Sequence, residues 1–539
     1  MDDTTLLLNG HILAGSEDTY TQALAVRNGR IAAMGNNEQV QSLFPSKAHI
    51  IDLQGATVWP GLTDFHLHLR LLGERLAALD CEGCALAQIL ERLRVHAEQA
   101  TPNSWITGYN WNHNLWAPPL YGTRQQLDAV SNGHPVVLFA KSLHASWANS
   151  AALALAGIQH DTPDPTGGQI LRDAAGEPTG ILLENAMRLV DGVLPEASPQ
   201  QMATLLLTAQ QHLFSLGITR VHDFDRWEHL LALLALESNG QWKLRVRKCL
   251  PVESLPEILQ GDARARFANG ERITPGWIKA FADGALGPQS AAILAPYEGS
   301  DNLGFTLLSA QDVLAMGISA SNAGWPMAIH AIGDAANREV LNGYALLREY
   351  ETSHHLPHLP HRVEHAQLLA PEDFSRFASL GITASVQPIH ATSDMDMADR
   401  YWGKRCASAY AYNSLLQSGA QLVFGSDAPV ETANPFRGIH AAVTRQKAGL
   451  ALPVDGWYPE QRVGLAQALR AYTSAAWLRP GNTEAALGLV VGAEADLIVL
   501  DEDPFRVSPS EIWRLAPRMT MVSGEVVYEN ANVHPGTPG

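Results

Sequence analysis

Between residues 60 and 430, short apolar or β-branched runs alternate with longer stretches of helical periodicity. The runs are "LTDFHLH" (62–68), "ITRVHDF" (218–224), "LRVRKCLPV" (244–252), "WIKAFADG" (277–284), "PMAIHAIGD" (326–334), "HRVEHAQ" (361–367), "ITASVQP" (382–388) and "LVFGSDAP" (422–429). Eight strands, each followed by a helix, predict a parallel barrel. Each run ends in polar residues, on the side where barrel enzymes keep their chemistry. The fold class expected is α/β, a TIM-like (β/α)8 barrel.

The ends of the chain have another texture. "TTLLLNGHIL", "ALAVRNGRIAAMG" and "HIIDLQGATVWPG" read as strands with Asn-Gly turns, and so do "VVGAEADLIVLDED" and "MTMVSGEVVYEN" near the other terminus. Residues 1–60 and 485–539 are expected to form one small β-sandwich, leaving 61–484 to the barrel. Residues of about 70–215 are too many for one βα unit, so they read as a subdomain inserted after the first barrel strand, over the barrel mouth. Its Trp, Tyr and Asn content suits a substrate pocket, for which Trp111, Asn112, Trp116 and His144 are candidates. Core packing is the competing reading of those aromatic residues.

Composition narrows the functions. Lys and Arg total 37 against 55 Asp and Glu, a net charge of -18, which disfavours nucleic acid or an anionic membrane as partner. The first residues, "MDDTTLLLNGHILAGSE", lack the apolar length of a signal peptide or membrane span, so a cytoplasmic protein is expected. "CEGC" (81–84) has the spacing of half a zinc site but no second pair to complete it, so Cys81 and Cys84 read as ordinary thiols. "HHLPHLPH" (354–361) is broken by Pro and reads as a solvated loop.

The chemistry gathers at the strand ends. His66 and His68, two apart, leave one face of the first strand together. His330 ends the fifth run, His365 the sixth and Asp427 the eighth. Such nitrogen and oxygen donors on separate strands point to a metal site. Lys279, flanked by Ile278 and Ala280, needs a partner to be buried, and Asp283 or Glu364 would serve as one. His222 ends the second run, where it can orient the substrate or the developing oxyanion, or hold another site residue. Gln387 ends the seventh, where it either offers an amide to the pocket or serves the loop; Asp283 and Asp334 lie just past the ligand candidates and read as supports.

"PGLTDFHLHL", "IKAFADGALG", "AIHAIGD", "RVEHAQ" and "FGSDAP" together resemble the metal-ligand motifs of the amidohydrolase superfamily. "HASWANSAAL", "TGGQILRDAAGEPTGIL" and "GITRVHDF" are similar to its branch of YtcJ-like proteins and N-substituted formamide deformylase. The resemblance implies a metal-dependent hydrolase of carbon–nitrogen bonds other than peptide bonds, acting on a small-molecule amide such as a formamide or N-acyl compound through a metal-activated hydroxide. It implies two divalent ions, zinc first, with manganese, iron or cobalt as alternatives. His66, His68 and Asp427 would hold one and His330 and His365 the other. Lys279, N-carboxylated by carbon dioxide, would bridge them, and Asp427 would also carry protons. A homodimer is the family-level expectation. The same site on a cyclic imide, lactone, carbamate or deaminase substrate is the alternative, with a catalytically silent metal-binding protein further behind. His390 in "QPIHATSD" is similar to a feature of the branch and receives no role.

Overall fold

The structure, a computed structural model, describes residues 4–15, 19–44, 48–102, 104–141, 144–227, 229–267, 270–450, 452–473 and 488–530. The eight runs all form strands, in one sheet of consecutive parallel neighbours. They are β1 (Leu62–Leu67), β2 (Ile218–Asp223), β3 (Arg245–Pro251), β4 (Ile273–Phe281), β5 (Met327–Ala331), β6 (Arg362–His365), β7 (Thr383–Val386) and β8 (Gln421–Phe424). Every residue of β1 and β6 is buried. Burial on both faces is why these runs read as apolar stretches rather than as alternations.

Beyond β8 the backbone returns to β1. The Asp427 amide donates to the His66 carbonyl at 2.7 Å and the His68 amide to the Ala428 carbonyl at 2.9 Å, nearly closing the ring at its C-terminal rim. Gly425 permits this approach: a Cβ there would lie 2.5 Å from the His66 nitrogen and 3.0 Å from an Asp64 carboxylate oxygen. Asp64 pins the same seam, accepting from the Ser426 hydroxyl at 2.5 Å and from the Ser426 and His66 amides at 3.0 Å each.

Of two further sheets, one is built from the first 52 residues and the other from both ends of the chain. A four-stranded sheet holds Arg30–Gly35, Ala23–Arg27, Thr4–Leu8 and His49–Asp52 in that order. A six-stranded sheet pairs Thr57–Pro60 antiparallel with Leu497–Leu500, so that Ile498 lies opposite Trp59. One hydrophobic cluster draws on both sheets, with Leu7, Leu24, Val58, Leu497 and Met521 among its members.

Residues 72–208 form a compact unit of their own, apart from 1–71 and 209–539. Its six-stranded sheet is buried on both faces: Val136 and Leu138 join a cluster with Ile89 and Trp147, while Val137 and Phe139 face Leu153 and Leu182. This is the period of two expected of a strand. Cys81 and Cys84 are buried free thiols in the first cluster. Among the described residues no helix is long and apolar enough to cross a membrane.

The segment 354–361 is a loop, but the expectation that all of it is solvated is corrected at His361, which is fully buried. Its Nδ1 accepts from the Met327 amide at 3.0 Å, which leaves the proton on Nε2 to be donated to Glu351 at 3.0 Å. A side chain that completes a buried ion pair is drawn out of the connector.

Candidate metal centre

The C-terminal rim of the barrel encloses a cavity of about 370 Å³ whose lining includes His66, His68, Lys279, His330, His365 and Asp427. These donors come from β1, β4, β5, β6 and the turn after β8. Asp427 Oδ1 stands 3.6 Å from His66 Nε2 and 3.3 Å from His68 Nε2. The His66 and His365 rings are 5.0 Å apart between centroids, and His365 and His330 4.5 Å. Residues separated by up to 361 positions thus meet in one small volume.

Each imidazole is held from behind. His66 Nδ1 donates to Glu364 Oε2 at 2.6 Å, and His68 Nδ1 lies 3.3 Å from Asp225 Oδ1. His330 Nε2 bonds the Gly284 carbonyl at 3.0 Å, and His365 Nδ1 bonds Gln387 Oε1 at 2.8 Å. A partner on one ring nitrogen fixes the tautomer and presents the other as a lone pair, the arrangement that ligand histidines adopt. Burial, opposed by Glu364, draws His66 down to about 4; burial and the nearby Lys279 draw His330 down to about 3. Both rings are therefore neutral donors at physiological pH. His68 moves the other way, up to about 9, because its burial is outweighed by the hydrogen bonds that it donates to Asp225 and Asp427. A cation between His68 and Asp427 would take the place of that proton.

Asp427 is an anion at neutral pH. Burial would raise its pKa, but His68, His66, His365 and His390 hold it well below the usual carboxylate range. Asp427 and His365 also carry left-handed backbone, with φ of 59° and 74°. Non-glycine residues in that region are strained and cluster at functional sites.

Lys279 has the least conventional surroundings. Its Nζ lies over the rings of Phe224 and Phe281, at 5.0 and 4.8 Å from their centroids. Among the described residues it makes no hydrogen bond or ion pair. Both partners considered from sequence are engaged elsewhere. Asp283 accepts from the backbone amides of Ala292, Ile332 and Gly333, and Glu364 is paired with Arg362 and His66. Burial accordingly draws Lys279 down to about 8, against the pull of Glu364 and Asp427.

The donor set therefore suits divalent metal, and two overlapping groups have ligand atoms within 4.8 Å of one another: His66, His68 and Asp427; and His365, His390 and Asp427. A third, Asp223, Asp225 and His229, already encloses a cation, because the buried Lys248 ammonium sits 2.9 Å from Asp223 Oδ2. That cluster braces β1: the Leu69 and Arg70 amides donate to Asp223 and Asp225.

Several positions differ from the sequence expectation. His222 is absent from the cavity lining. It is fully buried in the barrel interior between Phe65 and Trp277, where Arg362 donates to its Nδ1 at 2.9 Å. Phe224, two residues on, reaches the cavity instead. Gln387 does not offer its amide to the pocket, because its Oε1 is taken by His365 and its Nε2 faces the Ser385 carbonyl at 3.4 Å. Trp116 is packed in the hydrophobic cluster of the 72–208 unit, with its indole N–H on the Cys84 carbonyl. Trp111, Asn112 and His144 border a concavity of about 480 Å³ within that unit. Asp334 accepts from the Leu294 amide at 2.8 Å. His390, given no role from sequence, lines the metal cavity.

The sequence pattern of the amidohydrolase family matches residues 49–528. The chain is 30% identical over 525 residues to the YtcJ protein of Bacillus subtilis (strain 168), covering 96% of this chain and 97% of that one. It is 28% identical over 541 residues to the N-substituted formamide deformylase of Arthrobacter pascens, covering 97% and 98%. Among solved structures, an uncharacterized metal-dependent hydrolase from Pyrococcus furiosus superposes with a TM-score of 0.76 at 26% identity, covering 93% of this chain and all of that one.

Proposed function

The chain belongs to the amidohydrolase family, and from that premise we propose that it hydrolyses the carbon–nitrogen bond of a small neutral amide, of the formamide or N-acyl class, at a centre of two divalent ions. The observation that carries the proposal is that four imidazoles, each anchored through one ring nitrogen, line one cavity with Asp427. His66, His68 and Asp427 would hold one ion, and His330 and His365 the other. Lys279, whose Nζ has no hydrogen-bond or ion-pair partner among the described residues, would lie between them as an N-carboxylated side chain. Adding carbon dioxide to the neutral amine converts a cation into an anionic two-oxygen ligand, which removes the penalty of burying an unpaired ammonium. The nitrogen-rich set suits zinc, with manganese, iron or cobalt as alternatives. Ions bound there polarise a carbonyl and lower the pKa of water toward neutrality.

The chain's own groups supply the rest. Asp427, held ionised, accepts the proton of the attacking water at a carboxylate oxygen and delivers it to the departing nitrogen. A C–O bond forms, the C–N bond breaks, and the products are a carboxylic acid and an amine. Phe224, Phe281, Leu286, Ile332 and Met397 offer an apolar wall to the organic part of the amide. The relative that acts on N-substituted formamides makes these the first substrates to try.

The test is elemental analysis of the purified protein, with hydrolysis assayed on formyl, N-acyl and cyclic amides, a lactone, a carbamate and an aminopurine. We expect about two metal equivalents per chain, turnover of at least one acyclic amide, and loss of turnover on chelation with recovery on adding zinc. Full activity in metal-free protein would overturn the proposal; turnover confined to the cyclic, ester or amidine substrates would keep the centre and change the bond.

A further inference from the structure

We propose that His390 is a catalytic residue, whose Nε2–H binds the amide carbonyl oxygen as it becomes an oxyanion. The inference rests on the metal-centre reading above. Pro388 starts the short helix Pro388–Ser393 directly after β7, and that helix carries His390 to the cavity, where only 7% of its surface is exposed. On one side, Gln367 Nε2 donates to His390 Nδ1 at 3.3 Å. Nδ1 is then an acceptor, so the ring proton resides on Nε2. That Nε2 is buried with no hydrogen-bond partner among the described residues. The closest carboxylate oxygen, Asp427 Oδ2, is 3.9 Å away, beyond hydrogen-bond length.

A buried N–H left unsatisfied is costly to the folded chain and marks a position where a ligand atom completes the bond. This one faces the acid that handles the proton, and its ring lies parallel to that of His365 at 6.3 Å. The other cavity-lining side chains with N–H groups are the donor set, His66, His68, Lys279, His330 and His365, and Gln367, one of whose two amide hydrogens goes to His390 itself. His222, which occupies a strand end, cannot serve, being enclosed beside Arg362. A fixed donor aimed where negative charge develops, in a site shielded from water, stabilises the transition state more than the ground state.

His390 also belongs to a candidate metal-binding group with His365 and Asp427, so the experiment must separate donor from ligand. Metal-loaded wild type, His390→Ala and His390→Gln are compared by elemental analysis, by calorimetric binding of methylphosphonate as a tetrahedral oxyanion probe, and by kinetics on whichever amide the wild type hydrolyses. The expected result is equal metal content in all three. Methylphosphonate should bind about 10–100-fold more weakly to His390→Ala. Its kcat should fall about 10²–10³-fold with little change in KM, and His390→Gln, which keeps an N–H, should recover part of both. Loss of metal from His390→Ala overturns the proposal in favour of a ligand. Methylphosphonate affinity that is equal in the variants, or binding absent from all of them, overturns it as well. Metal and probe measurements decide the matter even if no amide in the panel is a substrate, in which case the functional reading fails on its own.

Discussion

Lys279 was the most informative single residue in the sequence, and the structure sharpens the reason. Its amine is enclosed by Phe224 and Phe281 while the carboxylates that might neutralise it serve other groups. We expect Lys279→Ala to lose most of its bound metal by elemental analysis, and added acetate or propionate to restore metal and activity together; retention of both without additive would dismiss the carbamate. Gln387 makes a second prediction. Because it acts on His365 from behind, Gln387→Ala should weaken metal affinity about 10–100-fold in chelator competition. The ligand candidates were legible because their motifs fix both residue type and place at a strand end. His222, Gln387 and His390 were not, because sequence places a residue at a strand end but not in a layer of the barrel. His222 points into the interior, Gln387 is captured by a neighbour, and His390 is swung into the cavity by a helical turn whose only sign is Pro388.

The elements hold these residues through buried polar joints. Helix Asp334–Ser353, helix Ala310–Asn322 and the start of β6 meet at Glu351, which accepts from Arg348 at 2.6 Å, from Ser321 at 2.8 Å and from His361 at 3.0 Å. Burial would raise Glu351, but His361 and Arg348 hold it down to about 2. A depressed carboxyl contributes stability that is fully present above its unfolded pKa and is lost as pH falls through the folded value. The contribution should therefore decline between about pH 4.5 and pH 2. Glu351→Ala, which strands Arg348 and His361, should cost about 3–5 kcal/mol at pH 7 in denaturant unfolding. The deficit should narrow as the pH is lowered across that window; a deficit constant with pH would show that the charge is not what matters. The alternation of runs revealed these elements, whereas the joint was hidden, since "HHLPHLPH" has the composition of a solvated connector and only the fold draws its final histidine inside.

At the scale of the whole molecule, the net charge of -18 is echoed in the cavity. Apart from the donor set, its charged lining residues are Asp394 and Glu431. Amides bearing a carboxylate should be turned over with kcat/KM at least about tenfold below that of neutral isosteres, the gap shrinking with added salt. Equal rates for both would remove the electrostatic selection. The barrel itself was legible from the eight runs, because strands buried on both faces leave continuous apolar stretches between helical ones. Pairing between strands more than 430 positions apart left only a similarity of texture at the two ends. That pairing has a bearing on synthesis. Val58 and Trp59 are synthesised more than 430 residues before the strand that covers their flank, Leu497–Leu500. Until that strand emerges the nascent polypeptide carries an open, sticky β-edge, and chaperone demand should fall sharply only once the two have paired.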